Sequence, residues 1–206
     1  MKNRKKIREI TMLAVLAALI ILMSFTPIGY IKIVPMGLEI TLLVIPVVIG
    51  AICLGPKGGL ILGTLFGLTS LLQCVFGFSP FGATLLSINP FFTAILCIIP
   101  RALMGFLVGV IFNTLNKVFK KDLLAHVIAS VSGALLNTIF FMSTLCVFFY
   151  NSEYIMSFRE TLGANNVFMF IILFVGINGV VEAAVNFLIG AIVTKTLFTI
   201  NKKIEH

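Results

Sequence analysis

Several polar side chains stand inside otherwise apolar stretches of the sequence: Arg101, directly after Pro100; Asn137; and Asn178, Glu182 and Asn186, spaced four residues apart. A charge at the centre of a bilayer is costly, so each such group needs a partner or a task. Arginine offers a planar fork matched to a carboxylate. If these stretches are helical, at ~1.5 Å per residue Arg101 lies ~16 Å from Pro90, Asn137 ~20 Å from Tyr150 and Asn178 ~18 Å from Asn166. The three then share one layer on three successive helices, a place to capture an anionic solute. Glu182 and Asn186 continue one face of the last helix away from that layer. For them a structural reading stands equally open: Glu182 pairs with Arg101, and the amides cross-link helices. Gln73 and Asn89, near the ends of neighbouring stretches, are candidate further contacts, and Glu39 with Lys32 anchors a loop.

Other chemistry finds little support. His126, Ser130 and Ser132 form only a superficial Ser/His pair, and His126 is expected near a membrane interface, solvated, five residues after Lys121. Cys53, Cys74, Cys97 and Cys146 lie in apolar runs without CxxC spacing, which fits small buried hydrophobes rather than a metal or redox centre. Neither HExxH nor GxxxxGK[ST] occurs, so no metal or cofactor is expected, and any energy from ATP must come from a partner protein.

The elements that must hold this layer follow from composition. Of 206 residues 60% are hydrophobic and 11% charged, against about 25% charged in a soluble domain. A soluble enzyme is excluded; the chain is expected to be a single all-α integral membrane domain. Pro, Gly and charge divide it into six transmembrane helices at about 10–27, 38–54, 58–76, 91–115, 123–150 and 165–196. The apolar stretch after the basic residues 1–8 runs on through Phe25, as in a retained first helix rather than a cleaved signal. The net charge of +8 would suggest nucleic acid in a soluble protein. Here it reads as topology, because cationic loops stay cytoplasmic. Twelve cations, among them Arg8, Lys57, Lys121 and Lys203, fall on one side, and only Lys32 and Arg159 on the other. Both termini are therefore expected in the cytoplasm.

Connections differ between the two sides. On the cytoplasmic side Gly55-Pro56-Lys57-Gly58 predicts a tight turn. The outer segments 28–37, 77–90 and 151–164 are longer, and the uncharged middle one reads either as a lid or as a re-entrant, interfacial segment. Small residues four apart mark close helix contacts: Gly59, Gly63 and Gly67; Gly105 and Gly109; and Ala14 with Ala18. The glycine rows suit packing inside the bundle. The alanine pair, on an edge helix, could equally meet another protein.

Together these features resemble the substrate-binding S-components of energy-coupling-factor (ECF) vitamin transporters, over nearly the whole chain. The resemblance rests on Ala14-x-x-x-Ala18, on the run from Ile45 to Ala51 leading into Leu54-Gly55-Pro56-Lys57-Gly58-Gly59, and on Gly67-Leu-Thr-Ser70. Ser87-Ile-Asn-Pro90, Pro100-Arg101 and the Asn178/Glu182/Asn186 series complete it. It implies a multi-pass cell-membrane protein, not an enzyme, that binds one vitamin in its outer half. It also implies a shared transmembrane coupling subunit, docked on Ala14 and Ala18, and two cytoplasmic ATPase subunits. Within the family the chain looks most like the pantothenate-type branch, where an Arg on helix four and an Asn on helix five lie near the ligand; Arg101 and Asn137 match those places. Riboflavin, cobalamin or another vitamin are the alternatives within the family. Outside it stand a proton-coupled secondary transporter using Glu182 and, with least support, an intramembrane enzyme using Ser130 or Ser132.

Overall fold

The computed structural model describes residues 2–27, 29–32, 39–118, 122–175 and Thr196. Helix α1, Lys2–Ser24, begins inside the basic segment, eight residues before the apolar stretch. Lys and Arg are good helix formers, so the cations extend the helix instead of ending it. Strands β1, Tyr30–Lys32, and β2, Glu39–Thr41, form an antiparallel ribbon that adds to the expected helices. Its register sets Lys32 opposite Glu39, the two charges expected to anchor this loop.

Helix α2, Val44–Val75, is interrupted at Gly55, whose φ of 77° and ψ of −172° are not helical. Only glycine adopts that backbone without a steric penalty, and Pro56 follows as the start of a new helix. The chain doubles back there. A Cβ placed on Gly59 would sit 2.8 Å from Ala51 Cβ, whereas eight residues along a straight helix span ~12 Å. The expected turn is therefore present, between an arm at 44–54 and an arm at 56–75. The first arm is shorter than the expected span 38–54, because the ribbon takes up 39–41. Pro46 explains the boundary: it is tolerated in the first turn of a helix that starts at Val44 but would break one that started at 38.

Helices α3, Pro80–Ile88, and α6, Glu153–Leu162, occupy two segments read from sequence as outer loops. Each has terminal signals that favour a helix over an open loop. Pro80 opens α3, and Ser152 caps α6, which Gly163 closes in a left-handed conformation. Helices α4, Pro90–Val118, and α5, Asp122–Phe149, run between them and the Gly55 turn. After α6 the chain bends by 78° into Val167–Val175. Among the described residues, four helical stretches are by length and composition apolar enough to cross a membrane: Lys6–Ser24, Val44–Val75 counted across its turn, Pro90–Lys117 and Leu124–Phe149. The bent pair would make a fifth. Most of the sixth expected span, with Asn178, Glu182 and Asn186, lies outside the described residues.

Packing divides the bundle into two hydrophobic clusters. One, towards the Gly55 turn, is mainly aliphatic and joins α1, α2, α4 and α5 through residues such as Ile20, Val48, Leu62, Val108 and Ala129. Here the α2 and α4 backbones touch: a Cβ on Gly59 would lie 2.1 Å from the Gly105 carbonyl oxygen, and one on Gly105 at the same distance from that of Gly59. The second cluster, at the α3/α6 end, is aromatic. Phe81 packs against Tyr154, Phe158 and Phe174, and Phe92 stacks on Phe148 at 4.5 Å. The uncharged segment 77–90 thus carries a short helix that buries Phe81 and Leu85 in this cluster.

Candidate functional site

Arg101 and Asn137 lie where the two clusters meet. On α4, Leu96 belongs to the aromatic cluster and Met104 to the aliphatic one, with Arg101 between them. On α5 the same change occurs between Ala129 and Met142, with Asn137 between. The short first arm of α2 accounts for this level. Its residues Val44 and Val48 pack beside Gly133, and Val47 beside Gly105. Asn137 and Arg101 are each one turn further along, just past the end of that arm. An 11-residue arm rises only ~16 Å, against ~30 Å for the 20 residues of the second arm. Among the described residues no helix continues it towards the α3/α6 end beside the two polar side chains.

Arg101 is 9% exposed. Its guanidinium carbon lies 4.6 Å from the centroid of the Phe141 ring and 5.6 Å from that of Phe66, within cation–π range of both. Nη1 donates to the Leu96 carbonyl at 2.7 Å. That carbonyl is the one Pro100, four residues on, cannot serve, because proline has no N–H. The side chain thereby runs back along α4 towards the α3/α6 end, the direction helical side chains favour. Among the described residues the buried Nε has no hydrogen-bond partner and no carboxylate pairs with the charge. A buried bare guanidinium is held at a cost that a bound anion would relieve.

Asn137 is 7% exposed, and among the described residues its buried Oδ1 has no partner. It precedes Phe141 by one turn, on the face that meets Arg101. The layer therefore offers donors with a positive charge on α4 and an unused acceptor on α5. A molecule carrying a carboxylate at one end and a hydroxyl or amide N–H nearby would satisfy both.

The remaining sequence candidates are placed differently. Gln73 is buried, and its Nε2 donates to the Ser24 carbonyl at the end of α1. Ser24 Oγ, 2.7 Å from the Ile20 carbonyl and 2.9 Å from Thr69 Oγ1, completes a clasp between α1 and α2. Asn89 caps α4: its Oδ1 accepts from the Phe92 N–H at 3.1 Å, with Pro90 as first residue of the helix. Ala14 and Ala18 are both exposed on α1, whose buried side is the Leu16, Ile20 and Ser24 line. Asn178, Glu182 and Asn186 are outside the described residues. Cys74 and Cys97 touch at 3.9 Å between α2 and α4, both buried, as small apolar fillers would be.

His126 corrects the sequence reading. It is fully buried rather than solvated, its ring 4.8 Å from Phe112 in an edge-on contact. Its distance along the chain from Lys121 suggested an interface, but α5 turns this face into the aliphatic cluster, where Ala125 and Ala129 are also buried. Ser132 spends its hydroxyl on the carbonyls of Ile128 and Ala129, 2.7 Å and 3.0 Å away. Sequence reasoning passed over Phe66 and Phe141, because a phenylalanine among 20 carries no local mark of facing an arginine. The Pro100-Arg101 dipeptide did carry a signal: a proline inside a helix frees the carbonyl four residues back, and a donor beside it can take that place.

Comparison with known proteins identifies the family. The family model described as "ECF transporter, substrate-specific component" matches residues 8–194. The pantothenic acid transporter PanT of Lactococcus lactis subsp. cremoris (strain MG1363) is 27% identical over 158 residues, covering 71% of this chain and 76% of that protein. The family is one of transporter subunits. The chain belongs to the substrate-specific components of ECF transporters.

Proposed function

We propose that this protein is the membrane S-component that binds pantothenate for an ECF-type importer, with ATP hydrolysed by two partner ATPase subunits and coupled through a shared transmembrane subunit. The observation that carries the reading is Arg101: a buried guanidinium with no carboxylate partner among the described residues, level with the end of the short first arm of α2. The ligand's carboxylate takes the free edge of the Arg101 fork. A pantothenate hydroxyl or amide N–H donates to Asn137 Oδ1, and Asn178 and Glu182 of the last span contribute further contacts. Gln73 and Asn89 act through the frame, one tying α1 to α2 and the other starting α4. The distribution of cations supports a cytoplasmic location for both termini, and in this reading the α3/α6 end and the polar layer belong to the outer half of the cell membrane. The similarity to PanT supports pantothenate over riboflavin or cobalamin.

Titration of the purified protein in detergent tests this reading. Arg101→Ala is expected to weaken pantothenate binding by about 1.5–3 kcal/mol, the contribution of a charge-assisted hydrogen bond. Unchanged affinity in a folded variant removes Arg101 from the site. The exposed Ala14/Ala18 face is the docking surface for the coupling subunit in this proposal. Ala14→Trp is expected to spare pantothenate binding and abolish uptake in cells that carry the coupling module; normal uptake would sink the assignment.

A further inference from the structure

Arg101 is held by a bond that exists because of its neighbour. In an unbroken helix the Leu96 carbonyl would accept the N–H of residue 100. Pro100 supplies no N–H, and a proline ring crowds the carbonyl four residues back and tilts it off the helix axis. The freed oxygen lies 2.7 Å from Arg101 Nη1. Two rings flank the guanidinium tethered in this way, Phe141 at 4.6 Å and Phe66 at 5.6 Å. The backbone beneath it is also fixed, since a Cβ on Gly63 would lie 2.2 Å from the Arg101 carbonyl oxygen. One N–H of Nη1 is thus committed, and among the described residues Nε has no partner of its own.

We infer that Pro100 is a positioning residue for ligand recognition: by withholding its N–H from Leu96 it creates the acceptor that aims Arg101 at the substrate's carboxylate. The inference rests on the proposed reading of Arg101 as the carboxylate contact. An alanine or glycine at position 100 restores the helical N–H, draws the Leu96 carbonyl back into the helix, and releases the guanidinium from its tether. Arg101 then still carries its charge but must be ordered by the ligand at each binding event.

The test compares pantothenate with pantothenol, in which a neutral alcohol replaces the carboxylate. Both are titrated into the purified full-length protein in detergent, for the wild type and for Pro100→Ala, Pro100→Gly and Arg101→Gln. The wild type is expected to prefer pantothenate. Each position-100 variant is expected to lose about tenfold of that preference, the size of one misaligned charge-assisted hydrogen bond, with pantothenol affinity unchanged. A residue needed only for the shape of α4 would shift both ligands together. If the position-100 variants keep the wild-type preference while Arg101→Gln abolishes it, the role of Pro100 is overturned and the reading of Arg101 stands. If Arg101→Gln also keeps the preference, the reading of Arg101 falls and the inference with it.

Discussion

The two clusters that meet at Arg101 are made of different materials. Towards the Gly55 turn the core is Val, Leu, Ile and Ala, and helices α2 and α4 approach until backbone touches backbone at Gly59 and Gly105. Branched side chains with few rotamers, packed on a backbone contact, leave little room for small adjustments. At the α3/α6 end the core is a chain of tilted and edge-on rings, such as Phe81 with Phe158 and Phe158 with Phe174, carried largely on short helices. Aromatic pairs accept a broad range of offset and tilted arrangements at similar energy. The contrast separates a rigid base, which fixes the Arg101 backbone, from a cover that can rearrange around whatever reaches the guanidinium.

Three substitutions probe that contrast. Gly59→Val puts side-chain carbons where the Gly105 carbonyl oxygen stands, 2.1 Å from the added Cβ, and is expected to abolish a monodisperse folded protein on size exclusion in detergent. A variant that folds with an unchanged melting temperature would show that the base is not rigid. Phe81→Ala removes a ring that contacts Tyr154, Phe158 and Phe174. It is expected to cost about 3 kcal/mol, leave a folded protein, and speed pantothenate release in stopped-flow measurements. Complete unfolding would make the cover as indispensable as the base and erase the distinction. Ser152→Ala removes the oxygen that accepts the Ile155 N–H at the start of α6. The expected loss is about 1 kcal/mol, seen by hydrogen exchange as faster opening of α6 with the Gly59 region unaffected. Equal acceleration in both regions would mean that the clusters open as one unit.

The rigid half was the more legible in the sequence, and the reason is physical. Close helix packing in a membrane requires small residues at fixed spacing, so Gly59, Gly63, Gly67, Gly105 and Gly109 announced it, and Gly55-Pro56 announced the reversal. Helical rise alone predicted one level for Arg101, Asn137 and Asn178, the last of which lies outside the described residues. The aromatic half carried no comparable spacing, because ring contacts between α3, α6 and the segment after it depend on how distant pieces of chain come together. Three local signals were present but outweighed by hydropathy. Pro46 marked the true start of α2, and Ser79-Pro80 and Ser152 marked helices inside segments that their length made look like loops. His126 shows the opposite limit: proximity to charge along the chain says nothing about which side of the helix faces the core.

Helix α1 has a consequence of its own. Its fixed points are Leu16, Ile20 and Ser24, and upstream of Leu16 no described side chain is fully buried. The clasp of Gln73, Thr69 and Ser24 secures the carboxyl-terminal end, while further upstream only one face of the helix, with Met12 and Leu13 half-buried, rests on the aliphatic core and the other face meets the surrounding solvent. In a bilayer that solvent is an oriented array of acyl chains with charged headgroups; in a micelle it is a thin, fluctuating belt. The outer face of the same helix is therefore held firmly in one medium and loosely in the other, and the outward-facing alanines Ala14 and Ala18 lie on that face.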